Sequence, residues 1–213
     1  KLSDGKYHLL DPTWVPFVRE LWSSAEQQQN YLMGLPEGAD LKITPISPPE
    51  NHYLKIEGES TLDADGNLKG AFTVRAEGQT DAAIRGMFTR DFMSDWKKNV
   101  ERELLTIDPR AKIIEMDYGD DPYDHMSAPI KIHIKYEIPG YAFAGENELA
   151  FVPLVANRLF SRGQAHLWLN TGIEERDYAF RDRCSRMVKL SETVTIPEGF
   201  KLAGEEVSKD IDG

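Results

Sequence analysis

The spacing of apolar residues changes period twice between residues 52 and 138, and these changes constrain the fold more than any other feature. From Tyr53 onward, apolar and polar residues alternate, which is typical of a β-strand with one face on a core. The turn Asp63 to Asn67 contains an Asp-Gly pair and predicts a hairpin, with Leu68 to Ala76 as the returning strand. We therefore expect this region to begin as an antiparallel meander.

A helical period follows the hairpin and indicates a helix that packs on the sheet, not a cofactor site. Thr80 or Asp81 is expected to cap its start. Gly86 and the segment Thr89 to Asp91 are expected to divide it into two helices, and Pro109 to end it. The stripe that recurs every fourth position consists of Ile84, Phe88, Phe92, Trp96, Val100 and Leu104.

Strand patterns return after Pro109, and they decide the fold class. Strands, then a helix pair, then strands again predict an α+β fold, mainly β, in which an antiparallel, sandwich-like sheet carries one amphipathic helix or a helix pair. The later strands are predicted over Lys112 to Met116, Ile130 to Ile138, Ala165 to Asn170 and Arg186 to Thr195.

The segment before the meander is less regular and predicts a domain boundary. Ser23 or Ser24 is expected to cap a short helix. Three prolines make Thr44 to Asn51 an extended linker. We therefore predict an irregular unit with its linker over residues 1–48 and a β-rich domain over residues 49–213.

Charge and cysteine content narrow the possible partners. The chain has 36 acidic and 25 basic residues, a formal net charge of −11, without clustered Lys or Arg. Nucleic acid and anionic membranes are therefore poor partners. Apolar runs of 18 residues are missing, so no membrane span is expected. The lone Cys184 excludes an internal disulfide.

The side chains that could bind a metal or act as a nucleophile are scattered, so we expect neither cofactor nor metal. Cys184 has flanking arginines that favour a thiolate, but a strand cysteine is the expected state. The Asp63 to Asn67 segment lacks the Gly position and closing Glu of a calcium loop. The acidic segment Asp117 to Asp124 favours a solvated loop over a weak cation site. The histidines are His8, His52, His125, His133 and His166, without a zinc-type pair.

Asp11 lies in the sequence Tyr7-His8-Leu9-Leu10-Asp11-Pro12-Thr13-Trp14, after the predicted hairpin turn at residues 3–6. This segment resembles the final motif of the transglutaminase-like (papain-related cysteine) superfamily, whose triad order is Cys, His, Asp. The linker at residues 34–49, the Asp63 hairpin and the Arg85 helix resemble bacterial multidomain proteins in which a β-rich domain follows such a core. An Asp-Pro turn after a strand is the alternative interpretation of Asp11.

The resemblance implies a specific role for Asp11. A thiol nucleophile needs an imidazole whose far N–H is held by an acceptor, and Asp11 would orient the His of an upstream domain in this way. The parent would perform acyl transfer or amide hydrolysis through a cysteine thioester, outside the cytoplasm. Cys184 follows Asp11, against the family order, and His8 is predicted in the Asp11 strand with its side chain on the opposite face. We therefore expect this chain to be the C-terminal part of a longer protein and inert in isolation.

Two other functions stay open from the sequence. A glycan- or protein-binding surface module without catalysis would use exposed aromatic residues. A purely structural domain would bury them against a neighbour. The aromatic residues in question are Trp14, Trp22, Tyr31, Trp168 and Tyr178.

Overall fold

The computed structural model describes residues 3–11, 22–124, 128–164, 174–175, 177–178 and 185–204. The strands are β1 (Asn30–Tyr31), β2 (Lys42–Ile43), β3 (Tyr53–Leu62), β4 (Leu68–Ala76), β5 (Lys112–Asp117), β6 (Lys131–Ile138), β7 (Phe143–Ala144), β8 (Leu149–Ala150) and β9 (Met187–Thr195). The helices are α1 (Gly78–Thr89), α2 (Trp96–Leu105) and the short α3 (Ser161–Gln164). One-turn 3-10 helices cover Ser24–Glu26, Pro49–Asn51, Met93–Asp95 and Leu154–Ala156.

Five of the strands form one sheet in the order β5-β6-β4-β3-β9. The first four pair antiparallel, as the hairpin patterns predict, and β9 pairs parallel with β3. The strand pairs β1-β2 and β7-β8 form two small separate sheets. The predicted α+β, mainly β fold class is confirmed, and in the described residues the layer that covers the sheet is helical.

Among the described residues, the sheet buries one face under the helices, and the side chains on its other face are half-buried or exposed. In β3 and β4 the even-numbered positions point to the helices, and the odd-numbered positions are half-buried or exposed. Each fully buried Leu, Ile or Phe on the covered face contributes about 1.5–3 kcal/mol of transfer free energy. The largest fully buried side chains include Trp96, Tyr136, Phe72, Phe88, Phe160, Leu54 and Ile56.

The helix pair matches its prediction except at Phe92. The chain leaves α1 after Thr89 and re-enters an α-helix at Trp96, so the break predicted at Thr89 to Asp91 is confirmed, whereas Gly86 lies inside α1. Phe92 lies in this break and is 82% exposed, although the four-residue period placed it on the core stripe. The expectation is wrong because a non-helical connection rotates the side chain away from the stripe. Trp96 is buried and packs edge-on against Phe88, with ring centroids 5.4 Å apart.

The N-terminal cap prediction for α1 is also wrong. The helix begins at Gly78, so Thr80 and Asp81 lie in its first turn and make other bonds. Gly78 has φ +63, and an added Cβ would collide with Asn51 and His52. Only glycine permits this close approach of two chain segments.

The other predicted strands and the predicted cap at Ser23 have three outcomes: some are found, one strand is not, and one lies outside the described residues. The strands over residues 112–116, 130–138 and 186–195 are found with small shifts at their ends, whereas residues 165–170 lie outside the described part. Ser23 caps the 3-10 turn that follows it, and its Oγ accepts the N–H of Ala25 at 3.2 Å. Residues 6–11 take no regular secondary structure, so the strand predicted before Asp11 is not found there. None of the described helices is long and apolar enough to cross a bilayer.

Candidate functional site

The region around Asp11 places a His and two carboxylates in one short segment. Asp11 is half-buried. The Nε2 atom of His8 lies 2.7 Å from Oδ2 of Asp4, in a pair whose side chains are 42% and 46% exposed. The hydrogen bonds from Lys6 and His8 lower the pKa of Asp4. The candidates Cys184, His125 and His166 lie outside the described residues.

His52 and Ser47 form the contact that most resembles a nucleophile–base pair, but its geometry is structural. Both residues are buried, and Nε2 of His52 lies 2.6 Å from Oγ of Ser47. The backbone N–H of Gln79 donates to Nδ1 of His52 at 3.1 Å. A backbone N–H can only donate, so Nδ1 is unprotonated and the neutral ring carries its proton on Nε2. His52 therefore donates to Ser47 and, in this tautomer, cannot accept its proton.

A second buried polar cluster joins three strands. Oγ of Ser60 donates to Oε1 of Glu192 at 2.5 Å and accepts from the Tyr136 hydroxyl at 2.7 Å. The other carboxylate oxygen of Glu192 accepts the N–H of Val155 at 2.7 Å. Burial raises the pKa of Tyr136 well above its usual range, although the Ser60 hydrogen bond opposes this. Ser60 is 5% exposed and Tyr136 is 2% exposed, so a substrate cannot reach them, and the cluster holds β3, β6 and β9 in register.

A third cluster fixes the acidic loop to α1. Nε of Arg85 donates to Oδ1 of Asp81 at 2.5 Å, and both side chains are 4% exposed. The two terminal nitrogens of Arg85 donate to the carbonyls of Pro122 and Ala128. Oδ2 of Asp81 accepts the N–H of Ile130 at 2.6 Å. The loop is thus tied down by backbone contacts, and no described His, Cys, Asp or Glu residues form a group of three that could hold a metal ion.

The side of the five-stranded sheet opposite the helices carries half-buried and exposed side chains in the described strands, and we call it the open face. Its cationic side chains outnumber its carboxylates, in contrast to the acidic whole chain. The cations are Lys55, Lys69, Arg75, Lys112, Lys131, Lys135 and Lys189, and the carboxylates are Glu57, Glu59, Glu115, Asp117 and Glu137.

One line of cross-strand neighbours on the open face is entirely cationic. Lys55 on β3 lies opposite Lys189 on β9 and opposite Arg75 on β4, and Arg75 lies opposite Lys131 on β6. We call these four residues the cationic row. Glu57 is the carboxylate beside it, 2.7 Å from both Lys55 Nζ and Arg75 NH1. The hydrogen bond from Lys55 lowers the pKa of Glu57 most, and Arg75 adds to this.

The next line across the sheet is polar and contains two carboxylates. It runs from Glu57 through Thr73 and His133 to Asp117 by strand register. Nδ1 of His133 lies 3.0 Å from Oγ1 of Thr73. His133 therefore lies on the side of the sheet away from the core.

The described aromatic residues do not form a platform on the open face. Trp22 is 7% exposed, whereas Tyr178 is 86% exposed. Tyr53 is the aromatic residue that the described strands place on the open face, at the end of β3. Trp14 and Trp168 lie outside the described residues.

Sequence reasoning missed the cationic row, because its members are separated by up to 134 positions and each looks like an ordinary exposed strand lysine or arginine. Only the strand order, with β9 beside β3, brings them into one line. No protein-family model, curated protein or solved structure matches this chain.

Proposed function

We propose that this chain is a non-catalytic accessory module of a transglutaminase-like protein, which recognises a partner through the open face and contributes Asp11 to a neighbouring catalytic core. The proposal that the chain is non-catalytic rests on one observation. Two described pairs of side chains resemble catalytic pairs, His52–Ser47 and Ser60–Glu192. In both pairs the hydroxyl is buried and already bonded within the fold, and only Glu192 is half-buried.

The distribution of exposed apolar residues supports attachment to another domain. Four large apolar residues within or beside the small β1-β2 sheet are 64% to 70% exposed. Exposed apolar patches of this kind mark interaction sites on soluble proteins. We assign this patch to contact with the upstream core. The residues are Leu32, Leu41, Ile43 and Ile46.

The role of Asp11 rests on the sequence resemblance. The core would supply the cysteine nucleophile, whose sulfur forms a thioester with the acyl group of the substrate amide as the C–N bond breaks and the amine leaves with the proton taken from the thiol. Its histidine would take the thiol proton, and the Asp11 carboxylate would hold the far ring N–H so that the imidazole keeps the right tautomer and orientation. Asp11 is half-buried, so part of its surface is accessible to a second domain.

Turnover measurements test this proposal. We expect the isolated chain to show no amide hydrolysis or acyl transfer. In the chain joined to its upstream core, Asp11→Ala should lower kcat by about 10⁴-fold, the loss typical of an orienting triad Asp, with Tm unchanged. Asp4→Ala, in the same segment, is the matched control and should retain turnover. Activity of the isolated chain, or full activity of the Asp11→Ala protein, would refute the proposal.

A further inference from the structure

We propose that the cationic row binds a short acidic polypeptide segment. This inference rests on the proposed function, because it names the partner of the open face. The four neighbouring cations of the row are an electrostatically unfavourable arrangement. Like charges directly opposite on neighbouring strands destabilise a sheet, and the row contains three such contacts in succession. Surface arrangements that lower the stability of a protein are typically kept where they serve binding.

The row is only partly neutralised by the protein itself. Glu57 is shared by Lys55 and Arg75, which are 41% and 38% exposed. Lys131 and Lys189, at the two ends of the row, are exposed, and neither makes an ion pair within the described part of the chain. By contrast, Lys112 and Lys135 on the same face have carboxylate partners at 3.8 and 2.6 Å. Positive charge is therefore concentrated in the row.

The dimensions of the row fit an extended peptide. Neighbouring strands lie about 4.8 Å apart, so four strands place the terminal cations about 14 Å from each other. An extended chain rises about 3.3 Å per residue, and about four to five residues span that distance. Two to four carboxylates in such a segment can each meet an ammonium group or the Arg75 guanidinium, which binds carboxylates with paired N–H donors.

The surroundings of the row favour a short acidic peptide over a long polyanion or a neutral glycan. The whole chain carries a net charge of −11, so a nucleic acid that extends past the row meets repulsion that acts over about 8 Å at physiological salt. A neutral sugar would need aromatic rings, and Tyr53 at the end of β3 does not make a platform. A few carboxylates on a polypeptide match both the length and the charge of the row.

Binding of a labelled decapeptide of alternating Glu and Ser to the full chain tests this inference. The row variant Lys55→Gln/Lys131→Gln/Lys189→Gln should bind at least 10-fold more weakly in fluorescence anisotropy. The matched variant Lys69→Gln/Lys112→Gln/Lys135→Gln removes the same charge from the same face and should bind within about twofold of the unmodified protein. The measured affinity should fall as salt is raised, since the contacts are charge-based.

Four results would overturn the inference. The first is that the unmodified protein does not bind the peptide, and the second is that both triple variants weaken binding equally. The third is tighter binding of a single-stranded oligonucleotide or a heparin oligosaccharide of equal charge. The fourth is a large loss of stability in the row variant, which would make the row structural, since removal of opposed like charges should leave the protein at least as stable. None of these results depends on turnover, so Asp11→Ala tests the proposed function separately.

Discussion

Gln79 donates its backbone N–H to Nδ1 of His52, which places a buried imidazole at the N-terminal end of α1 in the position of a cap. The helix carries Glu77 at its N-cap position without a side-chain cap bond. The first N–H groups of a helix have no partners within the helix, so the imidazole replaces the missing cap. The residues before β3 and the start of α1 are thereby held together.

Replacement of His52 by Ala should lower the free energy of unfolding by about 1–3 kcal/mol, because it removes the hydrogen bonds that the His52 ring makes with the Ser47 hydroxyl and the Gln79 N–H. Urea denaturation measures this loss. His8→Ala removes an exposed imidazole and serves as the control, with no significant change expected. Equal stability of both variants would contradict the capping role of His52.

Gly78→Ala should be strongly destabilising, for two separable reasons. Its φ of +63 is unfavourable for an L-residue, and its Cβ would collide with the backbone of Asn51 and with the His52 ring. Gly38 has φ +80 with open space around it, so Gly38→Ala reports the backbone term alone, about 1–2 kcal/mol. The Tm of the Gly78→Ala protein should therefore be well below that of the Gly38→Ala protein. The reverse order would exclude the close approach of Gly78 to Asn51 and His52.

The buried pair of Asp81 and Arg85 should behave as one unit in a double-mutant cycle. Arg85→Met or Asp81→Leu alone should cost about 3–5 kcal/mol, because each leaves an uncompensated buried charge. The double variant should cost less than the sum of the two single variants. Lys97→Met with Glu101→Leu, an exposed i,i+4 pair, provides the comparison and should show little coupling.

Glu103 should make stability depend on pH in the direction opposite to a salt-bridged carboxylate. Burial raises its pKa above the ordinary 4.5, and the charge of Arg162 opposes this only in part. The contribution of Glu103 to the free energy of unfolding is fully present below pH 4.5, where the carboxyl is protonated in both the folded and the unfolded state. That contribution is lost as the pH rises through the pKa of the folded state.

The variant Glu103→Gln isolates this effect, because glutamine stays neutral at every pH. It should be more stable than the unmodified protein at pH 7, and the difference should shrink towards pH 4. Paired urea titrations at the two pH values measure the difference, with Glu101→Gln on the same helix as the control. A constant difference at both pH values would show that Glu103 does not titrate abnormally.

Local patterns predicted the local structure well. Alternation placed β3 and β4, and the bounds Leu68–Ala76 agree with those predicted for β4. The Asp-Gly turn formed as expected, with Oδ1 of Asp63 accepting the N–H groups of Asp65 and Asn67. These features depend on contacts between residues that are close in sequence, so a single sequence contains the information.

Relationships between distant segments were beyond sequence reasoning. The parallel pairing of β9 with β3, the contact of Ser60 with Glu192 and the imidazole cap on α1 each join parts that no local pattern connects. The prediction that Phe92 is buried was wrong for a related reason, because the four-residue period in the sequence continues through a segment that is not helical in the structure. Asp11 depends on a resemblance alone, and its role stays a prediction.

The parallel strand β9 also determines when the open face becomes complete during folding. Lys55, Arg75 and Lys131 assemble from strands that pair in a continuous antiparallel set, whereas Lys189 arrives only after the chain has closed a long loop. Loop closure of this length is an entropically costly and slow step. A ribosome-bound chain that ends before β9 would display three charges in line, and the fourth would arrive only as synthesis of the described fold is completed.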